Sequence, residues 1–89
     1  MSLDLDFSDQ AIEDVAFHKK FGNKAVLKKL FILLDEIADH PFIGTGKPEA
    51  LKYNLSGKWS RRINQEHRLV YEVFEDYVVI HSLKDHYSR

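Results

Sequence analysis

The feature that most restricts the fold is the segment from about Asn23 to Asp39. Val26, Leu30, Leu33 and Ile37 recur at the spacing of one helix stripe, and Leu27, Phe31, Leu34 and Ala38 widen it. Lys24, Lys28, Lys29, Asp35 and Glu36 fall mostly outside that stripe. A helix with one such face must bury it against another layer. Pro41 ends it, because the proline ring biases the preceding His40 out of helical backbone. A chain of 89 residues has material for one domain and one small core, so the remaining segments must supply the second layer.

Those segments read as strands and one further helix. Leu3, Leu5 and Phe7 alternate with Asp4 and Asp6, the period of a strand with one buried face. Ser8 is placed to cap a helix in which Ile12, Val15 and Ala16 form the apolar stripe, with Phe21 closing it and Gly22 ending it at C′. Gly44, Gly46 and Pro48 mark a loop, and Asn54-Leu55-Ser56-Gly57 a turn. Trp59 to Asn64, Arg68 to Phe74 and Tyr77 to Leu83 read as strands, joined by links short enough to require antiparallel neighbours. The expected fold class is α+β: an N-terminal edge strand, then a two-helix hairpin packed on a twisted antiparallel sheet, in a single domain spanning 1–89.

Charge distribution carries the first functional signal. The chain has a net charge of −1, yet six of its 13 Lys and Arg residues lie between Gly44 and Tyr71 with only Glu49 and Glu66 among them. That stretch is a local anion-facing surface in a protein with no global pull towards nucleic acid. There is no cysteine, which excludes disulfides and thiolate metal sites. No apolar run approaches the length of a membrane span, the acidic start lacks a signal core, and a cytoplasmic protein is expected.

Cleaving RNA by attack of its own 2′-OH needs a base, an acid and a cation for the charged phosphorane. Glu49, in the basic loop, is a candidate base. His86, beyond the last strand, is a candidate acid, since imidazole exchanges protons near neutrality. Arg68 can fork onto phosphate oxygens. Lys47, Lys52, Lys58, Arg61 and Arg62 are candidates to hold flanking phosphates, and Trp59 and Tyr87 to stack on bases. The residues alone also allow a surface ion pair for Glu49, a frayed chain end for His86-Tyr87, a solvated sheet face for Arg61-Arg62 and a core position for Trp59. His18, His40, His67 and His81 have no metal-ligand spacing and are read as non-ligands. No cofactor is expected.

The run GTGKPEALKYNLSGKWSRRINQEHRLVY, with His86-Tyr87 further on, resembles the Txe/YoeB family of toxins from bacterial type II toxin–antitoxin systems, within the RelE/ParE superfamily. The likeness is dense from Pro41 to Tyr71 and at Lys84 to Tyr87, and looser but collinear before that. It implies a RelE-like fold and a metal-free endoribonuclease that cuts mRNA in the ribosomal A site and arrests translation. By position it implies Glu49 as general base, Arg68 as transition-state stabiliser, His86 as general acid and Tyr87 as a catalytic or orienting partner, with Lys52, Arg61 and Arg62 on the RNA backbone. It also implies a YefM-like antitoxin with a Phd-type DNA-binding part, through which alone the toxin would reach operator DNA. The oligomeric state stays open between monomer and homodimer.

The chain departs from that family in places. Eight acids precede residue 46, Ala50 stands where a proline is common, His81 where small or apolar residues are usual, and Ser88-Arg89 extend past the tyrosine. Two other readings therefore stay open on the same scaffold: a gyrase poison that cuts no RNA, and a non-catalytic module that binds antitoxin and DNA.

Overall fold

Ser8 and Asn23 start the two helices. In the computed structural model, which describes residues 2–85, the Ser8 hydroxyl accepts from Ala11 N–H and the Asn23 side chain from Val26 N–H. Each satisfies one of the amides a helix start leaves unpaired, a contribution of about 1 kcal/mol. The elements in chain order are β1 (Asp4–Phe7), α1 (Asp9–Phe21), α2 (Lys24–Asp39), β2 (Glu49–Ala50), a single 3-10 turn (Tyr53–Leu55), β3 (Lys58–Arg62), β4 (Arg68–Val73) and β5 (Tyr77–Ser82). The five strands form one sheet in the order β1-β5-β4-β3-β2.

The meander β2 to β5 is antiparallel, as the short links require, whereas β1 lies parallel to β5 and makes the sheet mixed. β1 and β5 are separated by most of the chain, so no short link fixes their relative direction. Two local readings change. Glu49 sits in a two-residue edge strand opposite Ser60 instead of in a loop. Gly22 caps α1 with φ −77°, so left-handed backbone is not what its position needs; a Cβ there would lie 2.6 Å from the His18 carbonyl.

Both helices pack on one face of the sheet. Leu30, Leu33, Leu34 and Ile37 of α2 meet Leu69, Tyr71, Val78 and Ile80 of β4 and β5 in the core. Removing any of the fully buried leucines would cost about 2–5 kcal/mol. The expected α2 stripe is narrower than drawn, because Phe31 is 47% exposed. The α1 stripe is a correction. Ile12 and Phe21 face solvent, and the buried positions are Ala11, Asp14 and His18. These also recur at three-and-four spacing, but two of them are polar, and the reason lies at the end of β5.

Candidate active site

Arg61 is the largest fully buried side chain among the described residues. Strand alternation puts it on the helix-covered face, opposite Leu69, where water cannot reach its donors. It survives there because five acceptors meet its five N–H donors. Nε donates to Tyr71 Oη at 3.2 Å, Nη1 to Glu36 Oε1 at 3.2 Å and the Thr45 carbonyl at 3.3 Å, and Nη2 to the carbonyls of His40 at 2.5 Å and Ile43 at 2.9 Å. Glu36 in turn accepts from the Thr45 amide at 2.7 Å and the Thr45 hydroxyl at 2.6 Å, and Tyr71 Oη donates to the Pro41 carbonyl at 2.6 Å.

This hub fixes the loop that leads into Glu49. The Gly46 carbonyl accepts from Arg62 N–H at 2.7 Å. At Gly44 (φ 124°) a Cβ would run into Glu36 Oε1, and at Gly46 (φ 85°) it would come within 2.9 Å of the Arg62 carbonyl. Both positions need left-handed backbone and bare space, so both need glycine. The Thr45 hydroxyl and amide, with Arg61 behind them, hold the Glu36 carboxyl below its ordinary pKa. Burial pushes the Tyr71 phenol up.

Among the described residues, no helix lies on the opposite face of the sheet. Directly paired residues and their i±2 neighbours share a face. The register therefore gathers Glu49 of β2, Lys58, Ser60 and Arg62 of β3, Arg68, Val70 and Glu72 of β4, Tyr77 and Val79 of β5, and Asp4 and Asp6 of β1 on this side. Charge is graded across it, acidic at the β1 edge and basic along β3 and the start of β4. Glu72 and His81 meet near the middle, Oε1 to Nε2 at 3.0 Å. Glu49 and Arg68 lie two strands apart and two residues offset, about 12 Å between backbones. Side chains of that length can close on one phosphate from the two sides.

Arg62 and Arg68 stand directly opposite each other, an arrangement of like charges that favours an anion between them. Arg68 is half-buried, and Nη1 is anchored on the carbonyls of Asn64 at 2.6 Å and His67 at 3.1 Å. The turn that supplies those carbonyls is itself built by Asn64, whose side-chain oxygen accepts from the amides of Glu66 and His67.

The chain then comes back to Arg68 from the far end. After β5 the main chain has no strand to pair with on one side, and α1 takes that place. Asp14 Oδ2 accepts from Leu83 N–H at 2.9 Å, and His18 Nε2 donates to the Leu83 carbonyl at 2.6 Å. The Lys84 ammonium lies 4.2 Å over the Phe17 ring. Asp85, in left-handed backbone (φ 60°), gives its N–H to His67 Nδ1 at 2.8 Å and takes the Arg68 N–H on its carbonyl at 3.0 Å. His86 is the next residue in the chain.

The site residues read from the sequence divide accordingly. Glu49, Lys58, Arg62 and Arg68 share the helix-free face; Lys47 and Lys52 are exposed beside β2. Arg61 is a correction: a side chain with no exposed surface and five internal hydrogen bonds does not engage RNA, and it holds the 40–45 loop instead. Trp59 is a second correction. It pairs with Tyr71 on the helix-covered side, packs against the core and lies 5.0 Å from the Phe42 ring, so it faces away from Glu49 and Arg68. His86 and Tyr87 lie outside the described residues. Sequence reading missed Asp14, His18 and His67. The signal for the first two was present, since Ala11, Asp14 and His18 fall on one helix stripe, but polar residues are not counted when apolar stripes are drawn.

Comparison with known proteins bears on the same stretch. A family model described as the YoeB-like toxin of bacterial type II toxin-antitoxin system matches residues 7–87. Toxin YoeB of Synechocystis sp. is 54% identical over 68 residues, 76% of this chain and 79% of that protein. Among solved structures, the YoeB dimer from Staphylococcus aureus superposes with a TM-score of 0.86 at 45% identity, covering 98% of this chain and 100% of that one. The YoeB-YefM complex from the same organism contains a chain with a TM-score of 0.83 at 46% identity and the same coverage.

Proposed function

Because the chain belongs to the YoeB-like toxins of bacterial type II toxin–antitoxin systems, we propose that it is an endoribonuclease that cuts mRNA in the ribosomal A site and so stops translation in the cytoplasm. The observation that carries this reading is the convergence around Arg68. Glu49 shares its sheet face, and the main chain one peptide bond before His86 is bonded to its own amide.

In this scheme the Glu49 carboxylate takes the proton of a 2′-OH. The freed O2′ attacks the adjacent phosphorus, the bond to the 5′ oxygen breaks, and His86 protonates that oxygen as it leaves. A 2′,3′-cyclic phosphate and a 5′-hydroxyl result, with no metal needed for the proton balance. Arg68, steadied through Nη1, offers its Nε–Nη2 edge to the phosphorane oxygens, where a preorganised donor is worth most. Arg62, Lys47, Lys52 and Lys58 neutralise neighbouring phosphates, and Tyr87 orients the acid or stacks on a base. The regulatory partner is a YefM/Phd-like antitoxin, by analogy with the Staphylococcus aureus complex, and operator DNA is reached only through it. The dimer solved for that relative supports a homodimer here.

The test is purified protein added to a programmed ribosome–mRNA complex, with cleavage mapped along the message. Cuts at the A-site codon are expected, and Glu49→Gln, Arg68→Ala and His86→Gln should each slow them about a hundredfold or more while circular dichroism stays unchanged. Cleavage at the parent rate in all three variants would refute the roles. Chromosome breaks on induction without any mRNA cuts would redirect the reading to a gyrase poison.

A further inference from the structure

We propose that His67 is a positioning residue for the reaction, one that sets the distance between the phosphate-binding Arg68 and the chain leading into His86. The proposal rests on the reading of His86 as general acid. Its ground is that His67 hydrogen-bonds both parts. Its carbonyl accepts from Arg68 Nη1 at 3.1 Å, and its ring Nδ1 accepts from the Asp85 amide at 2.8 Å.

The ring is held for this. Only 9% of the His67 side chain is exposed, and it packs edge-on against His18 at 4.9 Å and Phe17 at 6.4 Å between ring centres. An amide can only donate, so Nδ1 must be unprotonated and the ring proton sits on Nε2, which faces Glu66 Oε1 at 3.8 Å. The His67 amide is tied to Asn64 Oδ1, and its carbonyl also closes the turn by accepting from Ile63 N–H at 3.1 Å. Amide, carbonyl and ring are therefore all committed, which leaves His67 little room to shift. Neither Asp14 nor His18 can do the same work, because they grip Leu83, two residues further back, and do not touch Arg68. Between them and His86 lies the left-handed kink at Asp85, and the conformation of that kink is what His67 and the Arg68 amide determine.

A satisfied core histidine would look similar in a static structure, so the test separates packing from positioning. His67→Phe keeps the ring and loses the acceptor; His67→Asn loses the ring and keeps a side-chain oxygen close to where Nδ1 sits. Displacing a reacting group by about an ångström costs on the order of a hundredfold in rate. His67→Phe should therefore slow single-turnover cleavage by ten- to a hundredfold, as orders of magnitude, with ribosome affinity unchanged, and His67→Asn should recover most of the loss. In a His86→Gln background the same His67→Phe change should add less than about twofold, because groups that act as a unit are not additive. Amide exchange read by NMR should show the Asp85 N–H losing protection in His67→Phe and keeping it in His67→Asn.

Full additivity with His86→Gln, or a His67→Asn variant no faster than His67→Phe, would overturn the proposal. So would undiminished Asp85 protection in His67→Phe. If the parent itself failed to cut, the nuclease reading would fall with it, and the exchange data would still decide whether His67 holds the tail.

Discussion

The two faces of the sheet use arginine in opposite ways. On the helix-covered face Arg61 is enclosed, and all its donors are consumed by Glu36, Tyr71 and three loop carbonyls. On the other face its chain neighbour Arg62 is exposed, and Arg68 across from it is only partly anchored. A guanidinium with every donor matched and no exposed surface is a strut, whereas one on an open face is available to an anion. The two kinds sit one residue apart in β3, and the pleat alone decides which is which.

The largest effect should come from breaking the strut. Arg61→Ala leaves Glu36, the Tyr71 hydroxyl and three carbonyls without their partner, and should lower unfolding free energy by about 3–5 kcal/mol in urea denaturation. A loss below about 1 kcal/mol would show that the hub is decoration. Arg61→Lys, with three donors in the wrong geometry, should recover only part of the loss.

A middle-sized effect belongs to Glu36 and appears as pH dependence. Its folded pKa is held down, chiefly by the Thr45 hydroxyl. A depressed carboxyl contributes stability that is fully present above its unfolded value of ~4.3 and is lost as pH falls through the folded one. Denaturation midpoints of the parent should therefore drop on acidification from about pH 5 downward. Glu36→Gln should be less stable at pH 7 and show a flatter decline, and identical pH profiles would remove Glu36 from the account.

The smallest effect on stability sharpens the contrast from the other side. Arg62→Ala should change unfolding free energy by no more than about 0.5 kcal/mol. On the proposed function it should nevertheless weaken association with RNA. The slope of log affinity against log salt should become shallower by about 0.7, the value for one single-strand phosphate contact. An unchanged slope would place Arg62 off the RNA path.

Much of this architecture was legible in the residues. Ser8, Asn23 and Pro41 bound the two helices as expected, and the short links imposed the antiparallel meander. The site was only partly legible. Alternation along β4 correctly separated Arg68 from Leu69 and Tyr71. The same alternation along β3 puts Arg61 inside, but the usual expectation that arginine faces water outweighs it until the carbonyls of a distant loop are known to be there. Asp14 and His18 were hidden for a like reason. Their burial is explained by the main chain of Leu83, 69 and 65 residues away, and no local pattern records a partner at that distance.

The parallel pairing of β1 with β5 joins Asp4 to Tyr77, close to the two extremes of the sequence. Long-range pairings of this kind form late, because the loop must close before the contact rewards it. A nascent copy emerging from the ribosome therefore has its first strand idle until the last one is synthesised, and through that interval the polar stripe of its first helix has no backbone to grip. A message cut short before Tyr77 yields a polypeptide that lacks the strand on which β1 pairs, and so cannot complete this sheet.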